Sequence, residues 1–188
     1  MILEIKEPQL IAGYLKGDEK CLEILIQKYL KPIYVFSYRY VGNQRDAEDI
    51  TQSVFIRVWK NLKKFDQQKS FKTWIFTIAK NACIDFLRKK KIKLFSEFED
   101  EKGENKIIEN IPDSEILPNE IFEKFDAAQE INLMVEKLPP NYSIILSLYY
   151  NDNFTLQEVS EILGESVNTV KSRHRRALIK LRELFLAQ

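Results

Sequence analysis

Glycine, proline, cysteine and histidine are all scarce in this 188-residue chain, at five, six, two and one. So few glycines and prolines, most of them at the edges of apolar-periodic segments, exclude a loop-rich chain and favour helices. The cysteines, Cys21 and Cys83, form no CxxC pair and have no histidine at ligand spacing. That excludes a disulfide framework and a zinc site, and both read as small packing residues. One histidine, His174, and no glycine-rich phosphate loop leave no set of nucleophile, base and stabiliser, so an enzyme is not expected, nor a metal or a cofactor. No apolar run approaches the roughly 18 to 20 residues needed to cross a bilayer, and the opening MILEIKEPQL lacks the basic-then-apolar layout of a secretory signal. The expected location is the cytoplasm.

What is present is charge, and it is segregated. The net charge is only +1, yet Lys63–Lys93 holds ten basic residues against Asp66 and Asp85, and Ser96–Glu130 holds twelve acids against three lysines. From Ser166 onward six Lys or Arg face one acid, Glu183. Two basic blocks flanking an acidic one suggest two polyanion-facing modules joined by a segment that avoids or mimics a polyanion.

A hydrophobic content of 45% is enough for real cores, and the periodicity is helical almost throughout. It predicts an all-α fold with helices at Pro8–Lys16, Glu19–Tyr40, Arg45–Lys63, Ser70–Lys91, Asn119–Lys137, Asn141–Tyr150, Leu156–Leu163 and Val167–Leu186. Between Lys93 and Pro118 the period is lost and Gly103, Pro112 and Pro118 appear, which reads as a flexible acidic linker. The expectation is two small helical domains, 1–92 and 119–188, joined by a linker over 93–118.

In the second module Pro139 and Pro140 end one helix and start the next, because proline fits only the first turn. Thr155 with Glu158 is a capping box for LQEVSEIL, Gly164 supplies the reversal, and Ser166 can cap the last helix. A short helix, a glycine turn and a longer basic helix make a helix-turn-helix, whose second helix enters the DNA major groove. At about 100° per residue Val170, Ala177, Leu181 and Leu184 face inward, while Asn168, Ser172, Arg175 and Arg176 face out. Amide, hydroxyl and guanidinium groups on that side suit base edges, and Lys171, Arg173 and Lys180 beside them suit phosphates. His174 points inward, as a packing residue.

In the first module, Asp46–Leu62 turns Ala47, Ile50, Val54, Val58 and Leu62 inward, with Phe55 and Trp59 at the margin. Its outer stripe of Asp49, Gln52, Ile56 and Lys60 is a poor DNA surface. It fits either a protein-docking face or an ordinary solvated one. In the next helix Phe71, Ile75, Ile78, Ala79, Ala82 and Phe86 point inward and Thr73, Thr77, Lys80, Asn81 and Arg88 outward. With Trp74 at the edge and the polar loop KKFDQQKS before it, this surface suits single-stranded DNA held by stacking and polar contacts. Trp74 fits a core role equally well.

DAEDITQSVFIRVWKNL, FKTWIFTIAKNACIDFLRKKK and TLQEVSEILGESVNTVKSRHRRALIKLRE, in this order and spacing, resemble the sigma-70 family of bacterial RNA polymerase sigma factors, in its compact extracytoplasmic-function (ECF) group. The resemblance implies a transcription initiation factor that binds core RNA polymerase and confers promoter recognition. It places Asp46, Glu48, Asp49, Gln52 and Phe55 on the clamp helices of the largest polymerase subunit, and the second module on the flap of the second-largest. Phe65, Lys69, Ser70, Trp74, Lys80 and Asn81 would melt and read the minus-ten element. Asn168, Thr169, Lys171, Ser172, Arg173, Arg175 and Arg176 would read the minus-thirty-five element. The acidic linker would thread the polymerase channels. With no long regulatory extension, restraint of a monomeric free factor is expected from a separate anti-sigma factor, often membrane-bound in this group. Two residues depart from the family pattern: Asn168 replaces the usual glycine before TVKSR, and His174 replaces an aliphatic residue after KSR. The rival reading is a stand-alone helix-turn-helix regulator, which would bind as a dimer to half-sites one turn apart.

Overall fold

The computed structural model describes residues 6–97 and 134–186, with side chains from 6 to 90 and from 134 to 186. The helices are α1 (Glu7–Leu15), α2 (Glu19–Val41), α3 (Gln44–Asn61), α4 (Phe71–Glu97), α5 (Pro140–Leu146), α6 (Leu156–Leu163) and α7 (Val167–Leu186). A 3-10 turn, Leu62–Lys64, follows α3, and a π turn, Ser147–Asn151, continues α5. No strand occurs among the described residues. The predicted helix Asn119–Lys137 lies mostly outside the described residues, as does most of the predicted linker; α4, however, continues through Glu97 rather than stopping near Lys91.

Short polar side chains start the helices where the sequence places them. Asp18 accepts from the Lys20 amide at 3.1 Å, and Asn43 accepts from the Asp46 amide at 3.0 Å. Thr155 and Glu158 form a reciprocal box, at 3.2 Å from the Glu158 amide to the threonine hydroxyl and 2.8 Å from the Thr155 amide to the carboxylate. Gly42 ends α2 at φ 65° and Gly164 ends α6 at φ 67°, left-handed conformations that disfavour other residues.

Helices α2, α3 and α4 pack their apolar faces together through Leu25, Ile33 and Phe36, Ile50, Val54 and Val58, and Ile75 and Ala79. Helix α1 is tied on by the Tyr29 hydroxyl, which donates to Glu7, and by Lys28, 3.1 Å from the same carboxylate. The same core continues into the second module, through Ile145, Leu148, Phe154, Val159, Ile162 and Val170. A smaller cluster, including Leu138, Leu146, Ala177, Leu178 and Leu181, joins α5 to α7.

The shared core corrects the reading of α4. Thr73, expected outside, is only 9% exposed, Lys80 is half-buried, and Phe76 is fully buried with its ring edge-on to Phe154 at 5.0 Å. Helical periodicity within α4 marks one apolar face, and this second face is covered by residues some eighty positions away. Of the cysteines, Cys83 is buried and Cys21 only half-buried, close under Gly13, where an added Cβ would lie 2.5 Å from its sulfur.

Candidate protein-docking and nucleic-acid interfaces

An open groove of about 920 Å³ runs between α2 and α3. Ile26, Leu30 and Tyr34 form one wall and Phe55, Ile56 and Trp59 the other, with Glu48, Asp49 and Gln52 along its polar edge. Trp59 is 55% exposed and Leu30 51%, a large apolar area for one groove to leave in water. Four of the expected polymerase contacts, Glu48, Asp49, Gln52 and Phe55, therefore line one surface. Asp46 does not: its carboxylate pairs with Lys90 of α4 at 2.8 Å. The α2 wall was missed from sequence, although Ile26, Leu30 and Tyr34 recur at a helical spacing of four.

On another part of the first module a smaller pocket of about 340 Å³ is lined by Arg57, Asn61, Lys64, Trp74, Ile78 and Asn81. It offers two amides, two cations and an aromatic face, the groups that hold an unstacked base and its phosphate. Trp74 packs against Phe65 at 4.8 Å and Phe71 at 5.6 Å between ring centres, and it also lines the pocket. Arg57 is held by Asp85 at 3.6 Å. Ser70 caps α4 by accepting from the Thr73 amide at 3.2 Å, and Lys69 is exposed in the loop before it. Lys80 turns away from the pocket toward the α6–α7 turn, its ammonium 3.5 Å from where a Cβ on Gly164 would sit. Arg57 and Asn61 were not singled out in the sequence, though they stand four residues apart on α3, just before the loop that holds Lys64.

Helix α7 presents Asn168, Lys171 and Ser172 to solvent, with Arg175 and Arg176 half-buried. Ser166 accepts from the Thr169 amide at 3.1 Å and shares a hydrogen bond with the Thr169 hydroxyl at 2.8 Å, so that hydroxyl completes the cap. Arg173 is pinned through one terminal nitrogen to both carboxylate oxygens of Glu165, at 2.6 and 2.7 Å. His174 is 8% exposed, between Tyr149 and Tyr150 at 4.9 and 5.7 Å, and its Nε2 meets no hydrogen-bond partner among the described residues. Burial lowers its pKa by disfavouring the charged ring.

The module that carries the Trp74 pocket is followed along the chain by a helix-turn-helix, α6 and α7. Residues 25–92 match the family described as sigma-70 region 2, and 128–181 match sigma-70 region 4. The ECF RNA polymerase sigma factor SigW of Bacillus subtilis is 35% identical over 170 residues, covering 89% of this chain and 90% of that protein. The chain belongs to the sigma-70 family, in the ECF group, and is thus a promoter-directing transcription initiation factor. Its fold is shared by CnrH, solved with the cytosolic domain of CnrY, at 19% identity and a TM-score of 0.63 over 97% of this chain and 98% of that one. It is shared too by RpoE of Bartonella quintana, solved with the anti-sigma factor NepR, at 21% identity and 0.62 over 87% and 95%. None of the described helices is long and apolar enough to cross a membrane.

Proposed function

We propose that the α2–α3 groove seats this factor on the clamp helices of core RNA polymerase, with Glu48, Asp49, Gln52 and Phe55 in contact and Asp46 reinforcing α3 through Lys90. The pocket between α3 and α4 takes a base flipped from the minus-ten element: Trp74 stacks, Asn61 and Asn81 hydrogen-bond, and Arg57, Lys64 and Lys69 hold phosphate. Phe65 and Ser70 set the loop beside it. The first half of α7 reads the minus-thirty-five element, Asn168, Ser172, Arg175 and Arg176 at base edges and Lys171 and Arg173 at the backbone. Thr169 holds the cap.

The observation that carries this reading is the pocket of Trp74 with Asn61 and Asn81, a base-sized site on a module separate from the helix-turn-helix. The proposed division is a polymerase-docking and minus-ten domain over 1–92, an acidic linker over 93–118 that threads the polymerase channels, and a minus-thirty-five domain over 119–188 that also meets the flap. The factor works in the cytoplasm by binding alone, the polymerase performing the chemistry. An anti-sigma factor restrains it; CnrH and RpoE of Bartonella quintana have each been solved with a protein bound, in the second case a named anti-sigma factor.

Run-off transcription with core RNA polymerase tests the proposal. Wild-type protein is expected to produce promoter-specific transcripts, and Asn81→Ala to lose them by about tenfold or more while still binding core, a base contact being worth about 1–3 kcal/mol. Promoter-specific initiation undiminished in an Asn61→Ala, Asn81→Ala double variant sinks the pocket assignment.

A further inference from the structure

The turn between α6 and α7 is fixed by its own backbone. The Gly164 amide donates to the Glu161 carbonyl at 3.3 Å and the Glu165 amide to the Ser160 carbonyl at 3.0 Å, the paired bonds of a Schellman motif. One residue later Ser166 caps α7. The Glu165 side chain thus starts from a rigid point, and it reaches eight residues forward to Arg173, in the second turn of α7.

That ion pair uses the arginine unevenly. Both carboxylate oxygens accept from a single guanidinium nitrogen, at 2.6 and 2.7 Å. A guanidinium carries five N–H groups on three nitrogens in one plane, so this bond leaves the other terminal nitrogen and Nε to donate elsewhere. The Arg173 side chain is 33% exposed and that of Glu165 29%, which makes the pair half-sunk rather than loose in water. Around the axis of α7, Arg173 stands about 100° from Ser172 and within about 20° of Lys180, on the flank of the stripe that faces base edges. A cation on that flank meets the DNA backbone, and backbone contacts fix the register of a reading helix on the duplex.

We propose that Glu165 is a positioning residue for promoter recognition: it holds the Arg173 guanidinium by one nitrogen, so that the remaining N–H groups meet a minus-thirty-five phosphate in a set direction. The proposal rests on the promoter reading. A long cationic side chain that is already ordered loses less freedom on binding than a loose one. A carboxylate beside a polyanion, on the other hand, weakens binding by repulsion. The two effects of Glu165 have opposite signs, and removing its charge tells which one wins.

The test uses holoenzyme assembled from core RNA polymerase and the full chain. Fluorescence anisotropy over a range of salt concentrations reads its affinity for a labelled duplex taken from the strongest start site in run-off transcription of genomic DNA. Thermal melts by circular dichroism set the assay temperature below the transition of every variant. Glu165→Gln, nearly the same size and uncharged, should bind about three- to tenfold more weakly than wild type, the effect of leaving one long side chain to be ordered on binding. Its salt dependence should stay close to that of wild type. Arg173→Ala should lower the slope of log affinity against log salt by about 0.9, one phosphate contact fewer. In the Arg173→Ala background, Glu165→Gln should weaken binding no further, because its effect passes through Arg173. Three results would each overturn the proposal: Glu165→Gln binding as tightly as wild type or more tightly, an unchanged slope in Arg173→Ala, or a further loss in the double variant, which marks a merely structural role in the turn. Wild-type holoenzyme that selects no start site refutes the promoter reading instead.

Discussion

His174 and Asp152 carry opposite pH dependences. Burial lowers the His174 pKa below its ordinary 6.5, so the unfolded chain binds that proton more readily. The stability it allows is fully present above about 6.5 and is lost as pH falls through the lowered folded value. Burial raises Asp152 from 3.8 to about 6 in spite of Lys72 and Arg39. Here the folded chain holds the proton more tightly, so the stability is fully present below 3.8 and declines as pH rises through about 6. Thermal melts between pH 4 and 7.5 should accordingly show a flatter acid limb in His174→Leu than in wild type, and a steeper one in Asp152→Asn. Identical profiles for all three would remove both groups from the linkage. Asn168 lies exposed beside the capped start of α7, on the side where a glycine would present no side chain. Asn168→Gly is expected to leave folding intact and change preference at one minus-thirty-five base by about 1–3 kcal/mol, measured with a randomised element.

At the scale of the element, the groove between α2 and α3 is the most direct prediction. Trp59 and Ile56 are largely exposed in the free chain, so Trp59→Ala and Ile56→Glu should leave the melting temperature nearly unchanged. Each should weaken core polymerase binding by at least about tenfold, because exposed aromatic and aliphatic residues around a groove are where binding energy concentrates. Equilibrium binding to core polymerase checks this; unchanged affinity would remove the groove from the interface. Thr155→Ala, by contrast, should cost about 1 kcal/mol of stability in a denaturant melt by releasing the cap of α6.

The elements legible in the sequence are those with local causes. The α6 range Leu156–Leu163 and the α7 range Val167–Leu186 match expectation residue for residue because Thr155, Glu158, Gly164 and Ser166 act within one turn of the ends they define. The groove was legible on one side only: Asp49 and Gln52 announce a polar outer stripe on α3, while Ile26, Leu30 and Tyr34 become a wall only once α2 lies beside it. The pocket was half legible for the same reason, since Trp74 and Asn81 share α4 with the loop but Arg57 and Asn61 come from α3. Thr73 and Lys80 were placed outside because the residues that reach this side of α4, Phe154 against Phe76 and the α6–α7 turn beside Lys80, lie far along the chain.

For the whole molecule, a net charge of +1 conceals basic surfaces on both modules, a combination suited to two DNA contacts made by one chain. Binding that depends on Lys and Arg at phosphates should weaken steeply with salt. The central claim is that this chain gives core RNA polymerase its choice of start site through both modules together. The direct measurement is transcription in vitro from fragmented genomic DNA with core polymerase and the purified protein, with the 5′ ends of the transcripts sequenced. Start sites preceded by one shared pair of motifs, at minus-ten and minus-thirty-five spacing, are predicted. Asn61→Ala with Asn81→Ala should degrade dependence on the first motif, and Arg175→Ala with Arg176→Ala dependence on the second. Start sites that match those of core polymerase alone would contradict the account.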